Sequence, residues 1–421
     1  MTKVVLVIGA CGLDRLLSVA SFPEADTKVR TTAYHEIGGG NAANTAHTMA
    51  LLKDATFLKD EGIVVKLLSK VGDDSIGRQL ARELHNAGVD LTSPLFRYGH
   101  QGSTTSFTTI IVSDSEFTRT CIHTPGTCGP LTLDDVNEVD MDQVFQDVVH
   151  VQSDCRYADV SLVLAREARR RGVSFSVDPE KDRMLPEQDE LLELATTVFL
   201  NSQQMHSYFE RRTTALEAMH GREALPKPKV KCRIMNSTVT DAITNSIRPP
   251  AFYLRWHGES QLAKDFVITK GCLGAIHVQP KSFRVLHHAV SEPDGVMVHI
   301  ESNGDLQIDC NVSDGSALSL SKFDVQTCGV LTNATIVDTT GAGDVFIAGY
   351  LLVSLTLVSG ASTSSLALAF GNWVAGKKLQ QPGARLSLQG KSLVDDELGH
   401  SRSEVENNLK KVLRSFGAII E

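Results

Sequence analysis

The chain has 421 residues, 42% of them hydrophobic and 22% charged, a balance that excludes intrinsic disorder and predicts one large folded domain or two ordinary ones. A formal net charge of −9 excludes a general binder of nucleic acid or anionic membrane, while leaving room for a local basic pocket. Eight cysteines, at 11, 121, 128, 155, 232, 272, 310 and 328, form no CxxC pair, and fourteen histidines form no HExxH, so no zinc or dithiol site is signalled.

Met1 leads almost directly into VVLVIG, a strand-like run at 4–8, with no basic–apolar–small leader before it, so a cytoplasmic protein is expected. Residues 27–37 (TKVRTTAYHEI) alternate like an exposed strand, and IGGGNAANTAHTMALL at 37–52 opens a helix of small residues behind three glycines. A strand at 64–68 and a helix at 75–87 follow, and 104–123 reads as a hairpin turning at SDSE. Strands at 148–151, 173–177, 198–200 and 266–269 alternate with helices at 158–171 and 203–219, a rhythm that predicts a mostly parallel sheet covered on both faces. Residues 221–262, with PKPK and RPP, and 279–330, broken by EPDG and SNGD, read as insertions. The longest apolar stretch, 345–358, falls short of the roughly 20 residues a membrane-spanning helix needs. Residues 384–401 read as loop and 403–416 as an amphipathic helix.

Two Gly-rich stretches carry the chemistry. Gly38-Gly39-Gly40-Asn41-Ala42-Ala43 formally fits the dinucleotide fingerprint G-x-G-x-x-A, but that motif opens the first βα unit, and here a strand and some 25 further residues precede it. GKS at 390–392 fails as a phosphate loop because Arg385 stands where the first glycine belongs. In DTTGAGDVFIAGYL, 338–351, Gly341 and Gly343 precede an acid, Asp344, at the mouth of an apolar helix. Free N–H groups and the positive helix end there suit an anion such as phosphate. The plainer alternative is a turn whose Asp344 caps its own helix. Taken together, the stretches predict phosphoryl transfer: the cradle stabilises the moving phosphoryl, Asp344 takes a hydroxyl proton, and Asp14, Asn41 and Asn44 hydrogen-bond a polyhydroxyl ligand.

At these residues the chain resembles the ribokinase-like (PfkB) carbohydrate kinases. Asp338 to Asp344, continuing to Ala348-Gly349, looks like that family's second signature, and Gly39-Gly40-Asn41-Ala42-Ala43-Asn44 like its first. The resemblance covers most of 4–205 and 263–383, and FPEADTKVR (22–30), SVDPEK (176–181) and GNWVAGKKL (371–379) bring it closest to ketohexokinase and uncharacterised ribokinase-like relatives. It implies a three-layer α/β/α sandwich with a mostly parallel central sheet and a small β-sheet lid. The α/β core would hold 1–26, 38–103 and 124–383, the lid 27–37 and 104–123, and a C-terminal loop and helix 384–421.

By position, the resemblance implies that Asp344 is the catalytic base and that Gly341, Ala342 and Gly343 form the anion hole. Asp14, Asp26, Gly40, Asn41, Asn44 and Arg156 would face the sugar-like substrate, and Asn201, Thr269, Gly271 and Asn372 would lie on the ATP side. It implies ATP with Mg²⁺, a monovalent cation, no metal held by the protein alone, and a homodimer through the lid. One departure stands out. The family's Asn-x-x-Glu is here Asn201-Ser202-Gln203-Gln204, and Gln204 supplies no negative charge for magnesium-linked water, an acid the ketohexokinase-like members also lack. Several residues have plainer readings: Asp14 a turn cap, Asp26 a turn acid, Arg156 a surface ion-pair partner, Thr269 a strand end. The alternatives in function are a nucleoside kinase of the same fold and a catalytically silent binding protein.

Overall fold

A computed structural model describes residues 2–113, 115, 118–181, 183–201, 203–204, 207, 265–269, 271, 274–283, 295–300, 305–311, 317–331, 335–356, 361–387 and 390–413. The chain divides into two compact units, Met1–Asp178 with Val330–Leu413, and Pro179–Gly329 with Arg414–Glu421. The expected insertion at 221–262 lies outside the described residues, as does most of the helix expected at 203–219.

The first unit begins with β1 (Lys3–Ile8), β2 (Gly12–Val19), β3 (Ala33–Gly39) and α1 (Asn41–Leu52). It continues with β4 (Ile63–Asp73), α2 (Ser75–Asn86), β5 (Phe96–Gln101), β6 (Phe107–Ser113) and β7 (Thr118–Thr124). Short helices α3 (Leu133–Asn137) and α4 (Met141–Val144) lead to β8 (Val148–Ser153), α5 (Ala158–Arg171) and β9 (Ser174–Val177). Strands β9, β8, β1, β4 and β5 pair in that order, all parallel. Val4 to Ile8 of β1 are all buried, the continuous apolar run of a strand covered on both faces.

A separate four-stranded sheet, in the order β3-β2-β6-β7, lies outside this parallel set. Its β6–β7 hairpin is antiparallel, and every residue of β7 is exposed. The sheet takes in Gly12–Val19, which the sequence reading left with the core. Arg15 holds it together locally, bonding Glu36 at 3.0 Å and lying 4.2 Å over the Phe107 ring.

The second unit contains α6 (Pro186–Leu194), the parallel pair β10 (Thr197–Asn201) and β11 (Asp265–Thr269), and an antiparallel run. That run is β12 (Ala275–Phe283), β13 (Gly295–Ile300), β14 (Asp305–Asn311) and β15 (Ala317–Cys328), paired β13-β14-β15-β12. Where the sequence showed only weak strand patterns across 279–330, the structure places regular strands.

The chain closes with α7 (Ala342–Thr356), α8 (Ala361–Lys378), α9 (Gly390–Leu398) and α10 (Arg402–Val412), all in the first unit. Val345 to Val353 of α7 are all buried, which explains a helix apolar on every side. Its closest neighbour is α8: a Cβ on Gly349 would lie 3.1 Å from the Gly371 Cα, so the two backbones nearly touch. Helix α9 occupies part of 384–401, the stretch expected to be loop. Its nine residues carry Gly390 and three consecutive acids, Asp395 to Glu397, which mask a short helix in sequence. The fold is the α/β class expected, with a mostly parallel sheet, helices and a separate small sheet.

Candidate active site

The approach to α7 is tied down by Asp338. Its Oδ1 accepts from Thr340 N at 2.8 Å, its Oδ2 from Gly383 N at 2.7 Å, and its carbonyl from Lys378 Nζ at 2.8 Å. The chain then turns at Gly341, whose φ of 71° is left-handed and whose missing Cβ leaves room for the Ala384 carbonyl. Gly343 differs, since a Cβ there would meet nothing within 4 Å. Internal packing does not require glycine at 343, whereas a group approaching the first turn of α7 would.

Asp344, 6% exposed, stands in that first turn. The amide Nδ2 of Asn44 donates to its Oδ2 at 2.9 Å, and Thr45 Oγ1 donates to its carbonyl at 3.3 Å. The other end of the Asn44 amide is also taken, because Arg385 Nε donates to its Oδ1 at 3.2 Å. Asn44, implied to be a sugar contact, is thus a link between the acid and a buried guanidinium.

Arg385, also 6% exposed, was missed in sequence. It further donates to Glu83 Oε2 at 3.2 Å and to the Gly39 carbonyl at 3.4 Å. Its presence explains the first glycine of the triplet, and two other neighbours explain the rest. A Cβ on Gly38 would strike the Arg385 guanidinium, one on Gly39 the Asp14 carboxylate, and one on Gly40 the Ala10 carbonyl. Three glycines admit two charged side chains and a strand turn, a different task from cradling a dinucleotide. Beside them the buried Cys11 thiol is pushed up to about 11 by burial, against the pull of Arg385.

The N-terminus of α1 is filled from within. Asp154 Oδ2 accepts from Ala10 N at 2.8 Å and Ala42 N at 3.2 Å, and its Oδ1 from Arg156 N at 2.9 Å. Burial raises this carboxyl above its ordinary range. At the matching end of α7, among the described residues, no carboxylate from another element is recorded as accepting from Gly341, Ala342 or Gly343, the residues expected to form the anion hole.

Asp14, on β2, is pushed up to about 6, first by burial, with Asp338 raising it and Arg385 and Arg119 lowering it. Arg119, another residue the sequence did not flag, projects from β7 and donates through Nη1 to Thr339 and Thr340 Oγ1, each at 2.9 Å. Lys378 is fully buried, and burial lowers its ammonium to about 8, with Asp338 and Asp344 opposing that shift and Arg119 adding to it.

The remaining expected site residues fall elsewhere. Asn41 is half-buried at the first position of α1. Asp26 is an exposed turn residue with a left-handed φ of 60°, in keeping with a turn acid. Arg156 is exposed, its guanidinium near enough to lower the Asp154 carboxyl. Asn372 is buried on α8.

In the second unit, Asn201 ends β10 and pairs reciprocally with Gln204. Gln204 Oε1 accepts from Asn201 N at 2.6 Å and Asn201 Oδ1 from Gln204 N at 2.8 Å. Thr269 ends β11, and Gly271 is exposed with φ of 55°. Among the described residues no three His, Cys, Asp or Glu side chains gather to hold a metal.

The family model described as pfkB family carbohydrate kinase matches residues 2–227 and 313–390. A curated relative, the ATP-dependent ribose-1-phosphate kinase of Halopiger xanaduensis, is 30% identical over 208 residues, 49% of this chain and 64% of that protein. The chain therefore spans less than two thirds of that relative's length. Ribokinase from Giardia lamblia superposes with a TM-score of 0.60 at 17% identity, covering 98% of this chain and 99% of that one. Arabidopsis thaliana ribokinase complexed with ribose and ATP gives 0.57 at 15% identity, over 97% and 99%. A nucleoside kinase of Methanocaldococcus jannaschii gives 0.57 at 17%, over 98% and 99%. At these identities the solved structures speak for the fold.

Proposed function

The chain belongs to the pfkB family of carbohydrate kinases, phosphotransferases acting on a sugar hydroxyl, and we propose that Asp344 is the general base of that transfer. The substrate hydroxyl gives its proton to Asp344 while its oxygen bonds to the γ-phosphorus of ATP. The bond from that phosphorus to the bridging oxygen breaks and ADP leaves. The N–H groups around Gly341, Ala342 and Gly343, at the positive end of α7, stabilise the charge on the transferred group. Magnesium arriving on the nucleotide supplies further neutralisation of phosphate charge.

The observation that carries this reading is the Asp344 carboxylate, buried in the first turn of α7 and oriented by the Asn44 amide. A base held at a helix mouth beside glycine-made space meets the two geometric needs of phosphoryl transfer, proton removal and charge stabilisation. Asp14, Gly40 and Asn41 are the proposed substrate-side residues. Asn201, Thr269, Gly271 and Asn372 are proposed for the nucleotide on the family resemblance. Pairing of two copies through the exposed β7 edge belongs to the same proposal. No helix among the described residues is long and apolar enough to cross a membrane.

The acceptor is a small sugar or polyol. Arg119 widens the class to sugar phosphates, since it brings a guanidinium from β7 to the Thr339 and Thr340 hydroxyls and is close enough to lower Asp14. The relative named a ribose-1-phosphate kinase points the same way. The test is a panel of sugars, polyols, sugar 1-phosphates and nucleosides with Mg-ATP, scored for ADP release, with phosphorus NMR locating the new ester. Turnover of nucleosides alone would move the protein to the nucleoside kinases. No acceptor-dependent ADP at all would favour a silent binding protein.

A further inference from the structure

Lys377 and Lys378 are neighbours at the end of α8 with opposite fates. Lys377 is half-buried and ion-paired, its Nζ 2.6 Å from the Glu397 carboxylate and 5.8 Å from the centre of the Trp373 ring. Lys378 turns inward, is fully buried, and among the described residues forms no ion pair within 4.0 Å. Its Nζ goes instead to the backbone carbonyl of Asp338 at 2.8 Å, at the start of the loop that ends in Asp344. A buried ammonium set on a carbonyl with no carboxylate in contact is costly, and an apolar side chain would fill that volume more cheaply. Charges of this kind cluster at functional sites.

Each Asp338 oxygen that would welcome an added cation here already holds a donor. Both Asp338 carboxylate oxygens accept backbone N–H groups, from Thr340 and Gly383, and the Asp338 carbonyl accepts Lys378. A potassium ion brought to this loop would meet donors on its ligands and an ammonium beside it. The monovalent cation implied by the family resemblance does not fit these residues.

We propose that the Lys378 ammonium is the resident cation of the Asp338–Asp344 loop, holding its backbone in the geometry the anion hole needs, so that this protein takes no monovalent ion there. Lys378 is a positioning residue, acting on the phosphoryl through the loop. The groups that face it electrostatically are Asp338 and Asp344, which favour its charge, and Arg119, which opposes it. At neutral pH an ammonium titrating near 8 is mostly charged, as the role requires.

The proposal rests on the kinase reading of Asp344, but its first test does not. The intact protein is melted in potassium chloride and in tetramethylammonium chloride at equal ionic strength, and thallium(I) NMR is recorded as a probe of a potassium site. Equal melting temperatures and no saturable thallium signal are expected. Stabilisation specific to potassium, or a saturable signal lost on Lys378-independent competition by potassium, would overturn the proposal whether or not an acceptor has been found. Once an acceptor is known, kcat of the wild type should be the same in both salts, and stimulation by potassium would overturn it.

Lys378→Met should lower kcat by roughly 10²-fold, the scale of losing one preorganised electrostatic contact, with a smaller change in sugar KM. Potassium or ammonium, but not tetramethylammonium, should restore part of that loss. A folded Lys378→Met protein with wild-type kcat in tetramethylammonium would also overturn the proposal. If the variant does not fold, the wild-type salt comparison decides.

Discussion

Asn44 and Asp344 are joined across 300 residues of sequence by one hydrogen bond, amide Nδ2 to carboxylate Oδ2 at 2.9 Å. The bond anchors one carboxylate oxygen and so sets the orientation of the group proposed to take the substrate proton. Asn44→Ala should therefore reduce kcat by roughly 10- to 10²-fold with a smaller rise in sugar KM. It also strips Arg385 Nε of an acceptor, so denaturant melts should show a loss of about 1–3 kcal/mol. A rise in KM with unchanged kcat would return Asn44 to the direct sugar-binding role. Asp344→Asn should cost roughly 10²–10⁴-fold in kcat while leaving the melting temperature close to wild type.

Two glycines of one loop should answer differently to the same substitution. Gly341→Ala drives a Cβ into the Ala384 carbonyl at a left-handed φ of 71°, and should lower the melting temperature. Gly343→Ala meets no protein atom within 4 Å and should leave stability unchanged or slightly raised. Its kcat should nonetheless fall, because the space beside Gly343 is assigned to the transferred phosphoryl. Full activity in Gly343→Ala would take the anion out of that space.

Asp14 carries a pH signature. Burial pushes its folded carboxyl up from the ordinary 3.8 to about 6, so between these values the native state binds more protons than the unfolded chain. Stability attributable to Asp14 therefore falls as pH rises from about 4 to about 6, then stays lowered. Asp14→Asn should stabilise the protein at pH 7 by about 1–3 kcal/mol, at roughly 1.4 kcal/mol per pKa unit, and have little effect near pH 4. The same variant should weaken sugar binding, and wild-type kcat/KM should drop below about pH 6 as Asp14 protonates. Unchanged stability at both pH values would mean Asp14 is better hydrated than its burial implies.

Arg385 supports the fold as well as the site. Arg385→Met should destabilise by about 3–5 kcal/mol, the range for breaking a buried charged network, and abolish activity with it. Glu83→Gln should cost far less, because the Glu83 side chain is 35% exposed and its loss leaves Arg385 two other acceptors. Comparable losses for the two variants would show that the ion pair, rather than the buried contacts to Asn44 and Gly39, dominates.

The parallel strands were legible because β1 is a nearly continuous apolar run and β8 opens on three valines in four residues, and the glycines of 338–344 announced the loop. Strand β2 was not, since its buried residues, Leu13, Leu16 and Val19, recur every third position where a half-buried strand alternates by two. Lys378 and Arg385 were illegible for a different reason. Sequence offers GKKLQQPGAR as a polar surface stretch, and only tertiary packing turns two of its charges inward. Asn44 was found as a site residue from its spacing to Asn41, yet spacing alone does not say that both ends of its amide are already occupied by protein.

The bonds of Arg385 to Asn44 and Gly39 span 341 and 346 residues. During synthesis, the glycine triplet and α1 leave the ribosome long before Arg385 exists, and Gly38 waits with space that nothing yet fills. The unit they belong to completes only when the chain has returned from 179–329, an excursion that can collapse separately in the meantime. Closure over such distances is slow, and the half-made unit exposes the apolar faces of α1 and β1 while it waits. A nascent chain stalled before residue 385 would therefore be inactive and a ready client for chaperones, and its degradation would precede any chemistry.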